Sequence, residues 1–315
     1  MFRNLMIAST CLAGLAVTAC GPSSAPSETR AEPQLVFPDM PAPGNFNRAY
    51  TMTENAAGNI RVFTRETRDD TDLFITEKQA DGSWSEPVKL DWPKRYSNAN
   101  PHFSPLDGRL YFASDRPLPD EERGNDMNIW SIERLEDGWG EAAPVAGDVN
   151  TGAGETSVTT TANGEMFFVS KHPRGQGGQD IYLATLDDET GEWKLGYLPE
   201  KISSPRVESH IAATPDGQHI IFYSYRSPKL GVVDLVAASR NEAGEWIGPY
   251  NLGPVINTRG IDYGAGFSET GETFFFSREG QIMLLPTAEL LPILTEAQAA
   301  YEAGNEEGFL GMGGE

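Results

Sequence analysis

Five strand-like segments of the chain end in Ser or Thr, at Thr53, Ser104, Thr161, Thr214 and Ser268, and six residues before each stands a polar group. These groups are Asn47, Asn98, Glu155, Glu208 and Asp262. Cations follow in the same units, at Arg65, Arg116, Lys171 with Arg174, Arg226 and Arg278. Carboxylates and guanidinium groups at one repeated place can do two kinds of chemistry. As acid and nucleophile or base they can hydrolyse a glycosidic bond, which needs carboxyls whose surroundings hold them in different protonation states. As fixed charges they can hold a sugar, a carboxylate or a partner's side chain through charge-assisted hydrogen bonds. A third role is architectural: each acid pairs with a nearby arginine and ties adjacent repeats together, and recurrence at matched positions favours it.

Other reactive residues offer less. The four histidines, His102, His172, His210 and His219, have no metal-ligand spacing and read as structural. No Gly-x-Ser-x-Gly elbow is present. The run Gly175 to Gly178 lacks the Lys and helix of a phosphate loop and fits a turn between strands. The acidic stretch from Pro119 to Asp126 does not match the alternating oxygen ligands of a calcium loop. Neither a metal nor a cofactor is expected.

The elements that must position the ring come from a repeat. Glu208 to Ser224 reads as strand, Pro-Asp-Gly turn and strand, with Gly relieving the strain of reversal. Four further copies surround Gly58, Gly108, Gly164 and Gly271, so the turn glycines lie 50, 56, 53 and 54 residues apart. A period near 50 in strands marks units that cannot bury their own faces and need neighbours. Each unit adds a third strand, opening at Asp72, Asn128, Asp180, Asp234 and Gln281. A turn carrying Trp84, Trp139, Trp193 or Trp246 follows, and these indoles are expected to wedge one repeat against the next. The fourth strand, at Glu86 to Leu90 and Gly248 to Leu252, is missing from the fifth unit, while a matching segment, Glu32 to Phe37, stands before the first. Pairing of that segment with the last sheet closes a ring and leaves no open edge. The expected fold is therefore all-β: a five-bladed β-propeller, six blades being the alternative, closed by an N-terminal strand over residues 33–286. In such a ring the first strands line the channel, which places the polar groups at its mouth.

The stretch Asn100-Pro101-His102-Phe103-Ser104-Pro105-Leu106-Asp107-Gly108-Arg109-Leu110-Tyr111-Phe112-Ala113-Ser114-Asp115-Arg116-Pro117, with Gly175 to Tyr182 in the next unit, resembles the WD40-like Pro-Asp repeat of TolB-type propellers. The resemblance implies this architecture and a Glu or Asn at the ring positions. Such propellers serve as protein-binding platforms, peptidase accessory domains and envelope modules. TolB-type propellers have six blades, against five units counted here. The residues expected to bind a ligand at the channel mouth are Asn98, Glu155, Glu208, Asp262, Arg116, Arg226 and Arg278.

The ends of the chain concern export and docking. Arg3, the apolar run Leu5 to Val17 and the small residues before Cys20 read as a signal peptide over residues 1–19. Val17-Thr18-Ala19-Cys20-Gly21 resembles a bacterial lipobox, which implies lipidation of Cys20 and, with Gly21 following, the outer membrane facing the periplasm. Residues 20–32 read as a flexible tether. Residues 287–315 are expected to form one short helix starting near Pro292, then a flexible acidic tail. A formal charge of -22 repels nucleic acid. The expectation is a monomeric, lipid-anchored, non-catalytic module that binds an envelope protein or cell-wall component, with a glycan or small-molecule hydrolase as the competing reading.

Overall fold

The computed structural model describes residues 31–39, 47–90, 96–119 and 126–312. Among them are five four-stranded antiparallel sheets. Blades 1 to 4 follow the chain, their first strands being Asn47–Glu54, Asn98–Phe103, Glu155–Thr160 and Glu208–Ala213. Blade 5 takes Asp262–Phe267, Thr273–Arg278 and Gln281–Pro286, and its fourth strand is Gln34–Leu35 from the other end of the chain. Leu35 lies opposite Met283, and the Val36 amide donates to the Ile282 carbonyl at 2.9 Å. The edge of the last sheet is thereby covered. The blade count is five, not six.

First strands of successive blades contact one another all the way round, blade 5 meeting blade 1. The core is correspondingly divided into layers between blades. Val62 and Leu73 of blade 1 pack with Phe112 and Trp130 of blade 2, Phe167 of blade 3 with Phe222 of blade 4, and Met52 and Phe63 with Phe275 across the closure. The tryptophans are wedges of graded depth: Trp193 and Trp246 are buried in the layers before their own blades, whereas Trp139 and Trp84 are half-buried. Trp246 meets the Phe167 ring edge-on at 5.8 Å, and the Arg61 guanidinium lies 4.0 Å over Trp84.

All five turn glycines hold positive φ, from 64° at Gly58 to 75° at Gly164 and Gly271, a region that costs an ordinary L-residue energy. This is why the glycine recurs in every turn, while the residues before it change from one copy to the next.

The C-terminal region departs from its expected form in two respects. The helix α1 spans Thr287–Glu302, so it starts five residues before Pro292, which lies inside it. Its buried Leu290, Ile293, Leu294 and Ala297 join the layer between blades 4 and 5. The segment read as flexible tail contains a second helix, α2, at Glu306–Phe309, and Leu310 after it is buried. Phe309 packs so closely on Gly253 that a Cβ there would fall 2.6 Å from its ring. Apolar docking, not helix propensity, orders this region.

Candidate channel-mouth site

Strand pairing corrects the ring in blade 1. Asn98 lies opposite Ser114, Glu155 opposite Ser170, Glu208 opposite Ser224 and Asp262 opposite Arg278; the matching pair in blade 1 is Ala49 with Arg65. Asn47 is two residues earlier, because Asn55, not Thr53, is the residue whose amide closes the turn. Asn47 still accepts a hydrogen bond from Arg65 Nε at 3.1 Å.

The other four ring members are fully buried. The Glu208 carboxylate accepts from the Ser204 amide at 2.9 Å, the Ser204 hydroxyl at 2.7 Å, the Ser224 hydroxyl at 2.8 Å and Arg226 Nη2 at 3.3 Å. Glu155 repeats the scheme with the Thr151 amide and hydroxyl and the Ser170 hydroxyl. Asp262 does so with the Thr258 amide and hydroxyl and with Arg278 Nε. In each case the donor four residues earlier belongs to the segment entering the blade. Asn98 instead donates to Asp72 of blade 1 and accepts from Arg116 Nη2 at 3.0 Å. The arginines also hold that entering segment: Arg226 donates to the Lys201 and Ile202 carbonyls, and Arg278 to those of Val255 and Ile256. Burial pushes the Glu155 and Asp262 carboxyls above their ordinary range, against the pull of the Thr151 and Thr258 donors. The structure thus joins Asn98 with Arg116, Glu208 with Arg226 and Asp262 with Arg278, as three separate knots and not as one cluster.

Residues just past the ring are the ones that meet at the centre. Each first strand is interrupted by a register shift there, and Thr51, Asn100 and His210 take φ of 42°, 55° and 49° at equivalent positions, with Gly264 at 65°. The bulge re-aims side chains. The Tyr50 ring of blade 1 stacks on His210 of blade 4 at 5.2 Å, and Tyr263 of blade 5 lies 5.7 Å and 5.5 Å from them. Blades 1 and 4 are not neighbours, so this contact crosses the channel. Burial drives the His210 imidazole down to about 4, which keeps it neutral at physiological pH. From the other side Thr51 donates to Asn100 Oδ1 at 3.0 Å, and Asn100 Nδ2 donates to the Thr156 carbonyl, linking blades 1, 2 and 3. The same repeat offset that revealed the ring marks these positions, one and two residues further on.

His102 is structural: its Nε2 accepts from the Thr160 amide of blade 3 at 2.9 Å, so the ring proton is on Nδ1. Burial lowers its pKa to about 3. Among the described residues no group of three or more His, Cys, Asp or Glu could hold a metal, and no helix is long and apolar enough to cross a membrane. The acidic stretch at 120–125, Cys20 and the segments read as signal and most of the tether lie outside the described residues.

No protein-family model matches the chain, and neither does any curated protein. Solved structures similar to it include TolB from Acinetobacter baumannii, at 14% identity over 62% of this chain and a TM-score of 0.40. The chain spans only 41% of that protein. An alpha-L-arabinofuranosidase from Lactobacillus brevis is similar at 14% identity, over 76% of this chain and 90% of that one, with a TM-score of 0.48. A putative TolB from Agrobacterium tumefaciens is similar at 12% identity, over 75% and 74%, with a TM-score of 0.43. Likeness at this level assigns no activity.

Proposed function

We propose that the protein is a lipid-anchored propeller that binds a protein or cell-wall component of the bacterial envelope, without catalysis of its own. The observation that carries this reading is the state of the ring: Glu155, Glu208 and Asp262 are fully buried, and their oxygens are occupied by donors of their own blade. A glycosidase needs one carboxyl free to give a proton and another free to attack or to activate water. Carboxylates fixed in this way suit the shaping of a rigid ring whose outer loops and channel face meet a partner. Lipidation of Cys20 and a periplasmic position on the outer membrane belong to the same proposal and rest on the sequence around Cys20.

Crosslinking of whole envelopes followed by recovery of the tagged full chain tests the binding role. A discrete partner or a glycan fragment, recovered with the protein and lost when the channel-facing residues Tyr50 and Tyr263 are changed to Ala, is the expected result. Recovery of nothing beyond the unlinked background would contradict it.

A further inference from the structure

Blade 3 lacks a contact that blades 1 and 4 possess. The third strand of these blades opens with a buried aspartate, Asp72, Asp180 or Asp234. In blade 1 the outer-strand residue opposite Phe74 is Lys89, whose Nζ reaches Asp72 Oδ2 at 2.6 Å. In blade 4 the residue opposite Val236 is Asn251, whose Nδ2 donates to Asp234 Oδ2 at 2.7 Å. Ala184 pairs with Leu195 in blade 3, and the Gly196 amide bonds to the Leu183 carbonyl. Continuing that register puts Tyr197 opposite Tyr182, at the place of Lys89 and Asn251. Tyr197 donates nothing inward; it is 76% exposed.

The consequence is visible at Asp180. The residue is 2% exposed, Oδ2 accepts from the Gly177 amide at 3.0 Å, and Oδ1 is buried without a partner. Blade 2 provides the control. Pro144 occupies its outer position and supplies no donor, the inner residue is Asn128, and Asn128 Oδ1 is likewise unpartnered. There the unmet group is neutral, whereas in blade 3 it belongs to a carboxylate, for which an absent partner costs far more. Asp180 also borders a cavity of about 270 Å³, walled by Tyr182, Leu195, Tyr197 and Leu198. Arg174 and Glu200 line it with opposite charges.

We propose that this cavity binds a primary ammonium group, which takes at Asp180 the place that Lys89 takes at Asp72, with Tyr182 and Tyr197 as aromatic walls for the cation and its alkyl stem. The volume suits a single side chain or a small amine rather than a larger ligand. Asp180 Oδ1 is shielded from water, so the incoming group displaces part of the wall, and the exposed Tyr197 is the part that is free to turn. The site lies toward the rim of blade 3 and is independent of the channel reading.

Calorimetric titration of the purified full chain with n-butylammonium, with n-butanol as the neutral counterpart, tests this. Saturable binding of the amine, at least tenfold tighter than the alcohol, is expected. Asp180→Asn should weaken it at least tenfold while the protein stays folded, since blade 2 already carries Asn at that position. Tyr197→Lys should raise the melting temperature and abolish binding by filling the site from within. A blocked Gly-Lys-Gly peptide distinguishes the source: tighter binding than butylammonium indicates a partner's lysine, weaker binding a free amine. Equal binding of amine and alcohol, binding that survives Asp180→Asn, or no amine binding at all would overturn the proposal.

Discussion

Replacing Glu208 by Gln separates a structural ring from a catalytic one through stability alone. The amide keeps the shape of the side chain and one acceptor oxygen, which can still serve the Ser224 and Ser204 hydroxyls. Its NH2 then faces the Ser204 amide, which now donates at 2.9 Å to Oε2. Two donors meet and one buried N–H is left unmatched, a loss of about 1–3 kcal/mol. Arg226 loses the charge on Glu208 but keeps the carbonyls of Lys201 and Ile202. This adds about 1 kcal/mol, because the guanidinium is partly solvated. The total, about 2–4 kcal/mol, corresponds to a drop of about 5 °C or more in the melting temperature for a domain of this size. Urea denaturation followed by tryptophan fluorescence reads it directly, and Glu208→Ala should lose more, since it strips every bond at once. An unchanged midpoint for Glu208→Gln would refute the idea that the ring holds the blades in place.

Other perturbations should follow the same geometry. Deleting residues 33–37 exposes the edge of blade 5, and the domain should lose stability as a whole and aggregate, as seen by melting and size-exclusion chromatography. Gly266→Ala should destabilise severely, because its Cβ would fall 2.2 Å from the Met52 carbonyl oxygen of blade 1; thermal denaturation checks this. The depressed pKa values of His102 and His210 mean that the unfolded chain binds more protons below pH 6.5. Stability is then full above that pH and falls by up to about 1.4 kcal/mol per unit and per histidine as acid approaches the folded values. Chemical denaturation from pH 7 to 4.5 should show the slope, and His102→Gln should flatten it. Cys20→Ser should move the exported protein from the membrane to the soluble fraction on fractionation.

Much of the fold was legible because its signals are local and repeat. The turn glycines mark the hairpins, and the unpaired segment before the first unit points to the closing strand. What escaped depended on partners distant in sequence. The turn of blade 1 closes at Asn55 and not at Thr53, which moves the ring position from Asn47 to Ala49, and only the backbone pairing reveals it. Pro292 reads as a helix start, yet α1 begins at Thr287, where the chain leaves the last strand of blade 5. Leu310 and Phe309 look like an unstructured end until the surface at Gly253 that receives them is known. At the candidate site, spacing identified the buried carboxylates correctly as a recurring set, but their hydrogen-bond partners decide what they do. The aromatic residues that cross the channel and Asp180 stand at repeated offsets, but the sequence does not show what they meet across the channel or that Asp180 Oδ1 meets nothing.

Turnover is the decisive test of whether the carboxylate ring is architecture or an active site. The purified full chain, incubated with envelope glycans and a panel of chromogenic glycosides, is predicted to release no product above the buffer rate. Measurable turnover that disappears in Glu208→Gln while its melting temperature stays at the unmodified value would show instead that the ring is an active site.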